Sequence, residues 1–162
     1  MIADKAINTH EKVRNIQNRL YLTAKANRMR KFYAMYDKIY RKDILEEAWK
    51  RVKRNGGAGG VDKVSILDVK AYGEEKLLDE IAEELRTEKY RCKPVRRTYI
   101  PKADGKKRPL GIPTIKDRIV QMAAKIVIEP VFEADFQSCS YGFRPKRSAL
   151  QAMDRIFEVA CC

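Results

Sequence analysis

The chain has 162 residues, 44% of them hydrophobic, and carries 35 Lys and Arg against 22 Asp and Glu for a formal net charge of +13. That length and apolar content suit one globular domain, with or without an extension, and no internal repeat or low-complexity tract interrupts it. Four cysteines (Cys92, Cys139, Cys161, Cys162) form no C-x-x-C pair, His10 is the only histidine, and no apolar run reaches membrane-span length, which argues against zinc, His-based catalysis or a membrane partner and for a reducing, cytoplasmic setting.

The charge is unevenly placed. Residues 1–54 hold 15 basic and 6 acidic side chains, 55–88 hold 4 and 9, 89–118 hold 11 and 2, and 119–162 hold 5 of each. Two cationic blocks are therefore separated by an acidic one. Single-sign blocks favour a nucleic-acid partner over an anionic membrane, whereas merely solubilising charge is usually mixed in sign.

Val13, Ile16, Leu20 and Ala24 recur at spacings of three and four, which predicts an amphipathic helix over roughly 4–31. Its other face carries Lys12, Arg14, Arg19, Lys25, Arg28, Arg30 and Lys31, facing either solvent or RNA. The aromatics of FYAMYDKIYR (32–41) suit a core better than a base-stacking platform. Asp43 and Glu46 have the form of a capping box ahead of Ile44, Leu45, Ala48, Trp49 and Val52, and Asn55-Gly56-Gly57 stops that helix. NGGAGGVDKVS matches neither nucleotide-binding glycine fingerprint and reads as a flexible connector. An acidic helix over about 74–88 turns Leu78, Ile81 and Leu85 inward and Glu75, Glu83 and Glu84 to solvent. A helix from Ile115 to Phe132 follows, ended by Glu129-Pro130 or shortly after, then a turn at Tyr141-Gly142 and a last helix from about Ser148. These marks divide the chain into a basic helical extension (1–54), a Gly-rich loop with an acidic helix (55–92), and a hairpin-plus-helix segment (93–162).

Between the acidic helix and Ile115, Thr98-Tyr99-Ile100 and Leu110-Gly111-Ile112 flank Ala103-Asp104-Gly105, a hairpin signal. A two-residue Asp104-Gly105 turn puts Lys102 and Arg108 on opposite faces. A three-residue loop, with Gly105 left-handed, pairs Lys102 with Lys106 and Ile100 with Arg108, so that Lys102, Lys106 and Arg108 share one face. Such a face suits a phosphate chain, with Arg as a fork and Lys as a point charge. Lysines with Pro101, Pro109 and Pro113 equally suit protection of an exposed strand edge.

The stretch KPVRRTYIPKADGKKRPLGIPTIKDRIVQMAAKIVIEPVFEADFQSCSYGFRPKRSA (Lys93–Ala149) resembles the fingers region of group II intron-encoded reverse transcriptases, the intron maturases. The resemblance is carried by IPK…G…RPLGIPT…DR…Q and by SYGFRP…S. NGGAGGVDKVSI is similar to that family's N-terminal extension, so the likeness spans about 30 to 160. It implies an RNA-directed DNA polymerase that also helps its intron splice, partnered by group II intron RNA, RNA template and primer, and dNTP. The expected architecture is α+β, with N-terminal helices packed on a small antiparallel sheet. By motif position Lys102 and Arg108 match residues that bind the nucleotide triphosphate, which favours the three-residue loop. Gly111, Ile112, Pro113 and Thr114, with Tyr141, Gly142, Phe143, Arg144 and Pro145, resemble template contacts. The basic positions Arg14, Arg19, Lys25, Arg28, Arg30 and Lys31 fall in the part that binds intron RNA. Leu150 stands where the family often has His, and no role of that His is carried over. The family's Mg²⁺-holding carboxylates lie on a later strand and in a later Tyr-x-Asp-Asp, and no Asp-Asp dipeptide occurs in this sequence. The resemblance therefore implies an extension-plus-fingers portion, without a metal site of its own, inert alone as a polymerase and open to self-association through the fingers. A stand-alone basic RNA-binding module is the alternative.

Overall fold

The computed structural model describes residues 8–27 and 29–160, so Arg28, Cys161 and Cys162 lie outside the described residues. The element order is α1 (Thr9–Ala26), α2 (Tyr36–Ile39), α3 (Lys42–Asn55), α4 (Ile66–Tyr72), α5 (Glu74–Arg86), β1 (Arg96–Pro101), β2 (Lys107–Ile112), α6 (Ile115–Asp135) and α7 (Ala149–Ala160). The strands form one antiparallel pair, giving the expected α+β class. The helices pack on α6 rather than on the sheet: α1 and α3 both lie against it and against each other, α5 packs on α3, and α4 on α5.

Periodicity explains why α6 is central. Ile115, Ile119, Ala123, Ile126, Val127, Pro130 and Ala134 recur every three or four residues, and all are buried. The first five of these meet Val13 and Leu20 of α1, Ile44, Leu45, Ala48, Trp49 and Val52 of α3, and Leu78, Ile81 and Leu85 of α5 in one core. Burying an Ile such as Ile119 or Ile126, both wholly inaccessible, is worth about 1.5–3 kcal/mol. The acidic helix is less solvated than its sequence suggests. Glu84 holds Lys116 at 2.6 Å, Glu74 holds Lys53 at 2.8 Å, and Asp79 lies 3.8 Å from Lys42, so it neutralises lysines of the body.

Several boundaries differ from the sequence reading for identifiable reasons. Helix α1 stops at Ala26 because the Asn27 side chain accepts the Met29 amide at 3.0 Å, a local turn that competes with helix continuation. The expected capping box at Asp43 and Glu46 does not form. Arg41 grips Asp43 at 2.8 Å, and Glu46 accepts from the Thr9 hydroxyl at 3.0 Å. A capping box does form at α4, which the sequence reading missed: Ser65 Oγ accepts the Asp68 amide at 3.2 Å, and Asp68 accepts the Ser65 amide at 2.8 Å.

Helix α6 also runs past Pro130 to Asp135. A proline has no N–H for the carbonyl four residues earlier, here Ile126. Gln17 of α1 fills that gap, its Nε2 donating to the Ile126 carbonyl at 3.0 Å, while Lys25 reaches the Ala134 carbonyl at 3.4 Å. The proline is thus tolerated because a neighbouring helix supplies the missing donor. Gln17→Ala is expected to cost about 1–3 kcal/mol in urea unfolding, the range for a buried acceptor left unpaired. In a Pro130→Ala background, where position 130 regains an amide N–H, the same change should cost clearly less. Equal losses in both backgrounds would show that Gln17 is not replacing that bond.

Candidate nucleic-acid interface

The base of the hairpin is tied to the body by one buried carboxylate. Thr114 caps α6, its Oγ1 accepting the Asp117 amide at 3.2 Å and donating to Asp117 Oδ2 at 2.6 Å. Asp117 also accepts from the Tyr90 hydroxyl and, at 3.4 Å, from the Lys93 amide, so the strand leading into the hairpin is held at the same point. The next residue, Arg118, donates to the carbonyls of Pro113 (3.1 Å), Gly56 (3.4 Å) and Ala58. These bonds pin the Gly-rich loop to the start of α6, which corrects its reading as a flexible connector. Gly60 permits the approach: a Cβ there would sit 2.7 Å from the Thr114 Cα and amide nitrogen.

The register decides how the hairpin presents its charge. Ile100 pairs with Arg108 and Pro101 with Lys107, and the Lys102 amide donates to the Lys106 carbonyl at 2.7 Å. The loop is therefore the three-residue one, Ala103-Asp104-Gly105, closed by the Gly105 amide on the Lys102 carbonyl at 3.1 Å, with Gly105 at φ 76°. By strand alternation Lys102, Lys106 and Arg108 share a face, with neighbours about 7 Å apart along a strand. All three are exposed, and none makes an ion pair among the described residues. Asp104, the nearest acid in sequence, turns its carboxylate to the Lys106 amide at 3.2 Å. Like charges facing each other across a hairpin are destabilising, so this face is poised for an anion. The same alternation adds Arg96, not singled out from sequence, whose Nε is buried without a protein partner.

The basic N-terminal residues do not form one face. Arg14 and Lys25 lie about 20° apart around α1, whereas Arg19 is about 140° from Arg14. Lys25 is directed to the end of α6, while Arg19 joins Arg30 and Lys31 around a cavity between α1 and residues 30–41. The aromatic cluster divides as well. Phe32, Met35, Ile39 and Tyr40 pack on the core as expected, but Tyr33 is 87% exposed.

Of the residues resembling template contacts, Gly111 is exposed, Ile112 and Pro113 are half-buried, and Thr114 is buried in its cap. Around the turn, Tyr141 is half-buried beneath Arg147, whose guanidinium carbon lies 5.1 Å from its ring centroid, and Gly142 and Pro145 are exposed. Phe143 is fully exposed at a φ of 57°, a conformation bulky residues rarely adopt. Arg144 points inward. Its Nη2 donates to Glu133 at 2.6 Å and its Nη1 to the Gln137 and Ser140 carbonyls at 2.8 and 2.7 Å, leaving its side chain 6% exposed. The adjacent Glu133 holds the guanidinium above its ordinary pKa.

Among the described residues no three His, Cys, Asp or Glu side chains gather as a ligand set. The described residues therefore offer no cradle for the Mg²⁺ that the resemblance implies for a complete polymerase.

This arrangement, a helical body presenting a cationic hairpin, accompanies clear relatedness in sequence. The chain is 39% identical over 127 residues to the group II intron-encoded protein LtrA of Lactococcus lactis, covering 77% of this chain and 21% of that protein. It is 46% identical over 97 residues to protein YkfC of Escherichia coli, covering 60% of this chain and 24% of YkfC. Over 123 residues it is 36% identical to an uncharacterized 91 kDa protein in the cob intron of Schizosaccharomyces pombe, covering 75% of this chain and 15% of that protein. No protein-family model matches the chain. The chain belongs with the group II intron-encoded proteins, and it spans less than a quarter of the length of these curated relatives. Among the described residues no helix is long and apolar enough to cross a membrane.

The Asp117 node makes an alkaline prediction. Burial and donation to Asp117 hold the Tyr90 hydroxyl above its ordinary value of 10.0. A phenol that keeps its proton more tightly when folded contributes stability that is complete below its unfolded pKa, and this is lost as pH rises through the folded value. Tyr90→Phe should therefore lower the urea midpoint at pH 7 and flatten its decline above about pH 10 relative to wild type. Parallel declines would contradict the assignment.

Proposed function

We propose that this chain is the nucleotide- and RNA-contacting portion of a group II intron reverse transcriptase and maturase. The observation that carries this reading is the hairpin register, with three cations on one exposed face and no acid paired to them among the described residues. In this reading Lys102 and Arg108, helped by Lys106, grip the triphosphate of an incoming dNTP. Arg supplies a bidentate fork and Lys a point charge, and charge-assisted contacts of this kind are worth roughly 1.5–3 kcal/mol each. The template strand passes over Gly111, Ile112 and Pro113 and over Tyr141, Gly142, Phe143 and Pro145. Thr114 and Arg144 act as positioning residues for these two stretches, because their polar atoms are engaged within the fold. Intron RNA is held by the basic residues of the 1–54 segment, and the 55–92 segment braces the hairpin segment 93–162 against it. Homology to intron-encoded proteins over three quarters of the chain supports the intron RNA as partner.

The test separates the two cationic regions. Titration of dATP into the isotopically labelled chain should shift amides from Lys102 to Arg108. The double substitution Lys102→Ala/Arg108→Ala should abolish those shifts, while affinity for a structured RNA changes less than about threefold, since only rim charges are lost. RNA affinity should fall steeply with salt as counterions are released. A tenfold or larger loss of RNA affinity in that variant would move the hairpin into the RNA-binding surface. Shifts confined to other residues would overturn the triphosphate assignment.

A further inference from the structure

The cavity between α1 and residues 30–41 has a volume of about 450 Å³, within the range of small-ligand sites. Its floor is apolar, formed by Ile16, Leu20 and Phe32, and its rim is cationic, formed by Arg19, Arg30 and Lys31. The Arg30 guanidinium carbon stands 5.9 Å from the centroid of the Phe32 ring, and Tyr33 offers a ring that is 87% exposed. Two further cations at the edge already have acids: Lys38 pairs with Asp37 at 3.2 Å and Arg41 with Asp43 at 2.8 Å. Arg19, Arg30 and Lys31 pair with none among the described residues.

An aromatic and guanidinium stack over an apolar floor suits the flat face of a base, and the unpaired cations beside it suit the attached phosphates. A phosphate alone would leave the floor unused. A duplex is too wide to enter, and its bases are stacked out of reach. We propose that this cavity takes a single unpaired nucleotide of an RNA loop. The base lies against Tyr33 and the Arg30–Phe32 stack, and the flanking phosphates lie on Arg19 and Lys31. The inference rests on the reading that the basic N-terminal segment binds RNA, and it adds which feature of the RNA that segment selects.

The probe is an RNA hairpin with a five-nucleotide unpaired apical loop bearing one 2-aminopurine, compared with a blunt RNA duplex of equal phosphate number and with AMP. Wild type should bind the hairpin roughly 5- to 150-fold tighter than the duplex, the range expected of one stacked base, with a change in 2-aminopurine fluorescence. Tyr33→Ala should erase the preference and the fluorescence change while leaving duplex affinity within twofold, and Tyr33→Phe should keep both. Equal, salt-sensitive binding of hairpin and duplex by wild type would overturn the cavity's role and leave RNA binding by the segment intact. Failure to bind either RNA would overturn both. AMP binding as tightly as the hairpin would reassign the cavity to a free nucleotide and overturn the RNA-loop assignment.

Discussion

The buried carboxylate of Asp117 is the constraint on which the arrangement of this molecule depends. It sits at the first turn of the central helix, where unpaired backbone amides and the helix dipole favour negative charge. Tyr90, Lys93 and Thr114 all converge on it, and Arg118 beside it draws in the Gly-rich loop. The strand entering the hairpin, the strand leaving it and the loop behind it are thereby referred to one helix end. A hairpin that makes few packing contacts of its own takes its direction from that point.

Charge is sorted by the same framework. The acidic helix neutralises Lys42, Lys53 and Lys116, cations of the helical body. Among the described residues, Lys102, Lys106 and Arg108 at the hairpin tip and Arg19, Arg30 and Lys31 around the α1 cavity stand without an acid. Two separated positive regions of this kind attract polyanions from a distance, and aromatic or forked groups within each choose among them.

Much of the fold was legible in the sequence. The apolar spacing in α1, α3, α5 and α6 identifies faces that are indeed buried, and a Gly at the third loop position selects one of two hairpin registers once Lys102 and Arg108 are placed together. The failures share a cause: each depends on a partner distant in sequence. Pro130 ends a helix by local rules, and Gln17, more than a hundred positions away, lets it continue. Asp43 and Glu46 spell a cap, but Arg41 and Thr9 claim their carboxylates. The glycines of the loop look flexible until Arg118 and Thr114 are seen against them. At the interface, the split of the basic residues between two flanks of α1 follows from helix geometry and was readable from spacing. The exposure of Tyr33 and the inward turn of Arg144 were not, because both depend on what the rest of the fold leaves open.

Structured RNA and the nucleotide triphosphate are proposed to meet different cationic surfaces of this chain. The most direct measurement is photo-cross-linking of a 4-thiouridine-substituted structured RNA to the chain, with the modified peptides mapped by mass spectrometry. Cross-links are expected within residues 9–41, persisting in excess dATP, with none at the hairpin tip, residues 102–108. Cross-links concentrated in the hairpin and displaced by dATP, with residues 9–41 unmodified, would contradict it.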